Sequence, residues 1–301
     1  MHDAFHAASM TAQFLLQGRS MAHLKLTIFG MTDVGRVRQN NEDAFIVADL
    51  TTSERICGMA EGVTRDVGAR GILVAVSDGM GGAQSGEVAS SLALRSVRLG
   101  MDAGSADGAG AALKTSVEGA NKNVWDFAHA SGKEGMGATL TAMLVYEGYA
   151  YIAEIGDSRA YLLRGTRFAQ LTRDQSYVQL LVDQGVLTPG QADESEDKNV
   201  ILQAIGIRPK VAVAMSGVQL EQHDRVLLCS DGLSNQLSDG AMHAILAGAT
   251  VDAACRALVA AANARGGADN ITAVVLDVAI EADASNRAAV PDHALSQNVS
   301  D

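Results

Sequence analysis

The sequence predicts an α+β fold in which mainly antiparallel strands are covered by pairs of helices. Three observations carry this. Residues 138–171 divide into four short strand-like runs, and Glu147-Gly148 and Gly165-Thr166 between them are good hairpin turns. Turns that short force neighbouring strands to run antiparallel. Amphipathic stretches come in two pairs, about 85–101 with 111–130 and 238–246 with 251–264. Strand-length apolar runs recur that end in aspartate and glycine, as in Ile72-Leu73-Val74-Ala75-Val76-Ser77-Asp78-Gly79, and such runs suit strands buried on both faces.

In chain order, residues 1–22 show no strong pattern and read as an N-terminal extension before a domain spanning 23–281. Residues 24–30 alternate like a half-buried strand, and Asp33-Val34-Gly35 makes a turn. Residues 44–47 form a second apolar run, and 51–70 read as a long surface loop. After the strand at 71–77, Ser85-Gly86-Glu87 opens a helix to about Met101, with Val88, Leu92, Leu94, Val97 and Leu99 as its apolar stripe. Leu113, Val117, Val124 and Phe127 are the inward face of the next helix. Trp125 is expected in helix packing and His129 at the surface. A helix after Ser176 runs to about Gln184, with Tyr177, Leu180 and Leu181 inward. Residues 185–198 carry the acidic run Asp193-Glu194-Ser195-Glu196-Asp197 and read as a solvated loop. Strands follow at 211–218 and 224–230, then two helices and a last strand at 269–280. Residues 282–301 are polar without an apolar period and are expected to be a disordered tail.

A chain of 301 residues allows one large domain or two small ones, and 48% apolar residues can build a substantial core. The net charge of −12 argues against nucleic acid or an anionic membrane as partner. Cys57, Cys229 and Cys255 have no metal-ligand spacing and are read as reduced thiols in a cytoplasmic protein. No stretch approaches the ~20 apolar residues needed to span a bilayer, and no signal-peptide pattern opens the chain.

Asp43, Asp78, Asp157, Asp231 and Asp269 each sit at the end of a strand-like run. For any one of them the plain alternative is a strand-to-turn exit, where Asp and Gly are common. Five such acids brought together would repel, and a shared cation relieves that. Oxygen ligands of this kind suit Mg²⁺ or Mn²⁺ better than zinc.

The set Arg-x-x-Asn-Glu-Asp (Arg38 to Asp43), Asp-Gly-Met-Gly-Gly (Asp78 to Gly82), Gly-Asp-Ser-Arg (Gly156 to Arg159), Ser-Asp-Gly (Ser230 to Gly232) and Asp-Asn-Ile-Thr (Asp269 to Thr272), in that order, resembles the metal-dependent PP2C (PPM) family of protein serine/threonine phosphatases, most closely its bacterial branch. The resemblance covers roughly 24–281. It implies a four-layer α-β-β-α sandwich, two antiparallel sheets face to face with helix pairs outside and metals at one end of the sheets. It also implies two Mn²⁺ or Mg²⁺ ions, with Asp78 bridging them. Asp231 and Asp269 would complete one ion, and the Gly79 carbonyl would join the other, with Asp43 and Glu42 close by or acting through water. A third, weaker ion would fall to Asp157 with Asp231. Arg38 would grip the phosphate, as its planar fork suits; the alternative for it is a surface cation, which Arg36 resembles more.

The activity implied is hydrolysis of phosphoserine and phosphothreonine by a metal-bridging hydroxide, without a covalent phospho-enzyme. The implied partners are phosphorylated proteins, among them a cognate Ser/Thr kinase and its substrates, with the phosphatase a monomer. The rival reading is a pseudophosphatase that binds phosphoproteins without turnover; the presence of all five acids disfavours it. Residues 172–206 match the position of the family's flap beside the active site, which influences substrate choice. One departure stands out: Met80 occupies the place where the animal enzymes carry a histidine thought to protonate the leaving alcohol. None of the seven histidines falls in a motif.

Overall fold

The computed structural model describes residues 23–56, 59–103 and 108–281. The N-terminal extension, the C-terminal tail and Cys57 lie outside the described residues. In chain order the elements are β1 (His23–Asp33), β2 (Ala44–Asp49), β3 (Glu54–Ile56), β4 (Val63–Asp66), β5 (Ile72–Ser77), β6 (Gly79–Met80), α1 (Ala83–Ala103), α2 (Ala109–Ala130), β7 (Gly137–Ala138), β8 (Leu140–Tyr146), β9 (Tyr149–Ile155), β10 (Arg159–Arg164) and β11 (Arg167–Gln170). They continue with α3 (Tyr177–Asp183), α4 (Pro189–Asp193), β12 (Ala214–Gln219), β13 (Arg225–Cys229), α5 (Asp231–Ser234), α6 (Asp239–Leu246), α7 (Val251–Ala264) and β14 (Ile271–Glu281).

The apolar runs become the inner strands of two six-stranded sheets, ordered β11-β10-β13-β14-β1-β4 and β12-β9-β8-β5-β2-β3. All the pairings are antiparallel. Side chains alternate across a strand, and β5 shows why its run is apolar at every position. Ile72, Val74 and Val76 point into the core shared by the two sheets, where they meet Ile28, Leu228 and Val274. Leu73 and Ala75 point the other way, under Val97 of α1 and Val117 and Val124 of α2. The second sheet is covered likewise: Phe29, Val275 and Leu227 lie beneath Leu258 and Ala262 of α7. Each such fully buried side chain contributes about 1.5–3 kcal/mol. The result is the four-layer α-β-β-α sandwich expected.

Tight turns hold the hairpins. Glu147 and Gly148 both have positive φ, 49° and 80°, as a two-residue hairpin turn requires. The register that matters most for the site is that of β1 with β14. It runs unbroken from His23↔Glu281 to Asp33↔Ile271 and so carries the segment after β1 to the segment before β14.

The structure corrects several expectations. The stretch 51–70 is not only a loop: it holds β3, which pairs with β2, and β4, which pairs with β1. Each strand is too short to show a period in sequence. Within 185–198, α4 forms on a capping box in which Thr188 and Gln191 exchange hydrogen bonds. Leu99, Phe127, Tyr177 and Leu180 have helical spacing but are exposed. Their helices are covered on one side only, and in α3 the buried residue is Val178. Trp125 is half-buried and packs at a tilt against exposed His129, ring centroids 3.8 Å apart, rather than joining a helix-packing core. Cys229 and Cys255 are buried free thiols, as expected; burial pushes each up to about 12.

Candidate metal centre

The site lies where the ends of both sheets open on the same side. Asp78 follows β5. Its backbone N–H donates to Thr139 Oγ1 at 3.0 Å, and its carbonyl accepts from the Thr139 N–H at 2.8 Å. Gly79, the next residue, is held because a Cβ there would lie 2.1 Å from the Gly86 carbonyl oxygen. Gly232, after Asp231, is held in the same way by the Asn270 carbonyl oxygen, 1.9 Å from a Cβ. In both Asp-Gly pairs the glycine lets the acid's backbone press against a neighbouring segment.

Asp231 opens the single turn of α5 and accepts from Asn235 Nδ2 at 3.0 Å on Oδ2. Asp43 is 7% exposed. Its Oδ2 accepts from the Ser230 hydroxyl at 2.6 Å and the Thr272 hydroxyl at 2.7 Å. Asp269 lies on the rim, where its Oδ2 accepts from Arg38 Nη2 at 2.8 Å. Arg38 is half-exposed, so the structure pairs it with one of the acids at the mouth of the cleft. Asn270 ties this side together: its Oδ1 accepts from the Glu42 N–H at 2.8 Å, while its Nδ2 donates to the Val34 and Asn40 carbonyls at 3.0 and 2.9 Å. Glu42 in turn accepts on its carbonyl from Gly79 N–H and the Ser90 hydroxyl.

Asp157, 8% exposed, sits in the β9–β10 turn. Ser158 Oγ is 2.8 Å from Thr139 Oγ1, so one buried hydroxyl touches both the Asp78 backbone and the turn that bears Asp157. On the outer side, Arg159 clamps Asp174 with three hydrogen bonds of 2.6–3.0 Å and donates to Tyr161 Oη at 3.0 Å. Beneath this pair lies Glu154, 3% exposed, which accepts from the Arg173 N–H at 3.0 Å on Oε2 and has nothing on Oε1.

The electrostatics are those of acids crowded out of water. Burial raises Asp78 well above the ordinary carboxylate range, and Asp43, Asp231, Asp157 and Asp269 push it further. Burial likewise raises Asp43 to about 7, against the two hydroxyl bonds that oppose it. Asp157 and Asp231 are raised by burial first and by neighbouring acids second. Glu42 is raised by loss of solvent, partly offset by Arg38.

Two oxygens decide whether cations suit the site. Asp43 Oδ1 and Asp231 Oδ1 are buried with no hydrogen-bond partner. A buried carboxylate oxygen left empty is costly, and a divalent ion supplies what each lacks. Among the described residues no three Asp, Glu, His or Cys side chains close to the spacing of a formed ion site. The acids have other partners instead: Asp269 leans to Arg38, Asp43 to Ser230 and Thr272, and Asp231 to Asn235. The donor set is oxygen throughout, which fits Mg²⁺ or Mn²⁺.

A cavity of about 660 Å³ adjoins the acids, with Asp157 and Asp231 at one end and α3, α4 and the start of α6 around the rest.

The protein phosphatase 2C model matches residues 59–275. The chain belongs to the protein phosphatase 2C family. The serine/threonine phosphatase Stp of Listeria innocua is 34% identical over 255 residues, covering 82% of this chain and 93% of the relative. The crystal structure of the Mycobacterium tuberculosis serine/threonine phosphatase PstP/Ppp is 34% identical and superposes with a TM-score of 0.71, covering 84% of this chain and 98% of that one. The catalytic domain of PstP in complex with two manganese ions gives a TM-score of 0.70 at 34% identity, covering 85% of this chain and 99% of that one. The structure brings Asp43, Asp78, Asp157, Asp231 and Asp269 close enough to act on one another's charge, with Glu42 beside Asp269. Of the residues that orient those acids, Ser158, Ser230, Asn270 and Thr272 lie inside the quoted motifs without a role of their own, and Thr139 lies outside them. Their signal was a Ser, Thr or Asn inside or abutting an otherwise apolar strand.

Proposed function

We infer that the protein is a metal-dependent protein serine/threonine phosphatase that hydrolyses phosphoserine and phosphothreonine in other proteins. One observation carries this: acids from both sheets share a cleft in which two buried carboxylate oxygens have no partner. Asp78, Asp231 and Asp269, with Asp43, Glu42 and the Gly79 carbonyl alongside, are the groups that would hold two Mn²⁺ or Mg²⁺ ions, and Asp157 with Asp231 the groups for a third. When bound, two such ions supply an activated water as nucleophile and neutralise phosphate charge.

The chain's own residues do the rest. Ser230 and Thr272 fix the Asp43 carboxylate, Thr139 fixes Asp78, and Asn270 holds the 34–42 segment across the cleft. Arg38, half-exposed at the rim, is placed to leave Asp269 and take two oxygens of a phosphate. Binding cations displaces the protons held among Asp43, Asp78, Asp157 and Asp231, so affinity for metal rises with pH. Among the described residues no histidine lines the cavity beside the acids, and water in the site would protonate the leaving alcohol. The protein phosphatase 2C relatives are named for action on proteins; a cognate kinase, action as a monomer and a cytoplasmic location belong to the same reading.

The test is hydrolysis of p-nitrophenyl phosphate. Activity should need Mn²⁺ or Mg²⁺ and vanish with EDTA, and Asp231→Asn should nearly abolish it. Turnover indifferent to EDTA would reject the reading. Arg38→Ala should raise KM far more than it lowers kcat, by about tenfold or more for the loss of a charged hydrogen bond. An unchanged KM would remove Arg38 from the site.

A further inference from the structure

The cavity beside the acids extends well past anything that phosphate hydrolysis requires. Its near end is Asp157 and Asp231. Its walls are mostly polar, with Val178, Val182, Pro189, Ala192 and Leu237 forming an apolar strip among them. Asp193 of α4 and Asp239 in the first turn of α6 both line it. Among the described residues neither carboxylate has an ion pair or a hydrogen bond from another residue's side chain.

The cavity's cations are largely spoken for. Arg159 is saturated by Asp174 and Tyr161, and Arg173 is paired with Asp183. Lys198, the third cation of the lining, lies on the same segment as the acidic run Asp193, Glu194, Glu196 and Asp197. The balance at the rim is therefore negative. Asp239 is raised by loss of solvent; the nearby Arg159 opposes this, while Asp193 and Asp174 add to it. On the inner wall, Ser234 Oγ is buried and has no partner.

A polar cavity with an apolar strip, two exposed acids at its rim and an unfilled hydroxyl suits a side chain with an aliphatic stem and a cationic donor at its end. An anion would meet Asp193 and Asp239, and a purely apolar side chain would leave both acids and Ser234 unmet. We propose that this cavity receives a lysine or arginine flanking the phosphorylated residue, so that the preferred substrates are phosphoserine or phosphothreonine segments with a basic neighbour. The proposal rests on the phosphatase reading of the adjoining acids. It also gives the acidic run of 193–197 a task, drawing a basic segment to the cleft.

The experiment compares kcat/KM for phosphothreonine peptides that differ only in flanking residues, Arg, Ala or Glu on either side, with p-nitrophenyl phosphate as the unflanked control. Basic flanks should exceed alanine by about three- to tenfold, the range of one or two part-exposed ion pairs. The gain should lie mainly in KM and shrink with added salt. The double variant Asp193→Asn/Asp239→Asn should lose the preference and keep its p-nitrophenyl phosphate turnover. Equal kcat/KM across the peptides, a preference for Glu, or a basic preference that survives in the double variant would overturn the subsite. Absence of metal-dependent p-nitrophenyl phosphate hydrolysis in the wild type would overturn the phosphatase reading itself, and the subsite with it.

Discussion

Glu154→Gln should stabilise the metal-free protein at neutral and alkaline pH. Glu154 is 3% exposed, its Oε1 has no partner, and burial pushes its carboxyl up to about 9 from an unfolded value near 4.5. A carboxyl raised in the folded state is held as the neutral acid. Above pH ~4.5 the unfolded chain releases this proton and the folded chain does not, so stability falls as pH rises and the fall ends near the folded value. Each pH unit in that window costs about 1.4 kcal/mol, so from pH 5 to pH 8 this one group removes about 4 kcal/mol. Glutamine has the same shape, keeps an acceptor for the Arg173 N–H and does not ionise. The assay is urea unfolding in EDTA at pH 5, 6, 7 and 8. The two proteins should be close at pH 5 and separate progressively, the variant ahead by several kcal/mol at pH 8. For a domain of this size that corresponds to roughly 10 °C in Tm. Parallel profiles, or a variant less stable at pH 8, would refute the reasoning.

Thr139→Val should leave the Asp78 N–H and the Ser158 hydroxyl without a shared partner and weaken Mn²⁺ binding by about tenfold, as loss of a group that orients a ligand does; Thr139→Ser should restore it, and isothermal titration calorimetry measures both. Asp174→Asn should strip Arg159 of its counter-charge where the pair is largely buried, at side-chain exposures of 23% and 11%, and cost about 3 kcal/mol in urea unfolding.

How far the sequence could be read follows from where its signals are strong. The runs at 72–77, 225–229 and 271–278 are apolar on both faces because each strand is sandwiched between a second sheet and a helix layer, and such runs stand out. Each has an acid beside a glycine or asparagine at one end, so the ligand candidates stood out too. Short edge strands did not: Glu54-Arg55-Ile56 and Val63-Thr64-Arg65-Asp66 are strands only because β2 and β1 offer them an edge. Helix faces were over-read at Leu99 and Phe127, where spacing is helical but no layer covers the residue. In the site, charge was legible and orientation was not. Nothing in the spacing of Arg38 and Asp269, 231 residues apart, says that they touch. The hydroxyls of Thr139, Ser230 and Thr272 gain meaning only when the strands pair.

The central claim is that side chains from separate strands form one oxygen-lined pocket for divalent ions. Anomalous diffraction from crystals grown with Mn²⁺ tests it most directly. Two manganese peaks should appear with Asp78 touching both and with Asp231 and Asp269 on one of them, and both peaks should weaken sharply in Asp78→Asn crystals. Manganese absent from this cleft at saturating concentration, or peaks unchanged by the substitution, would contradict the account.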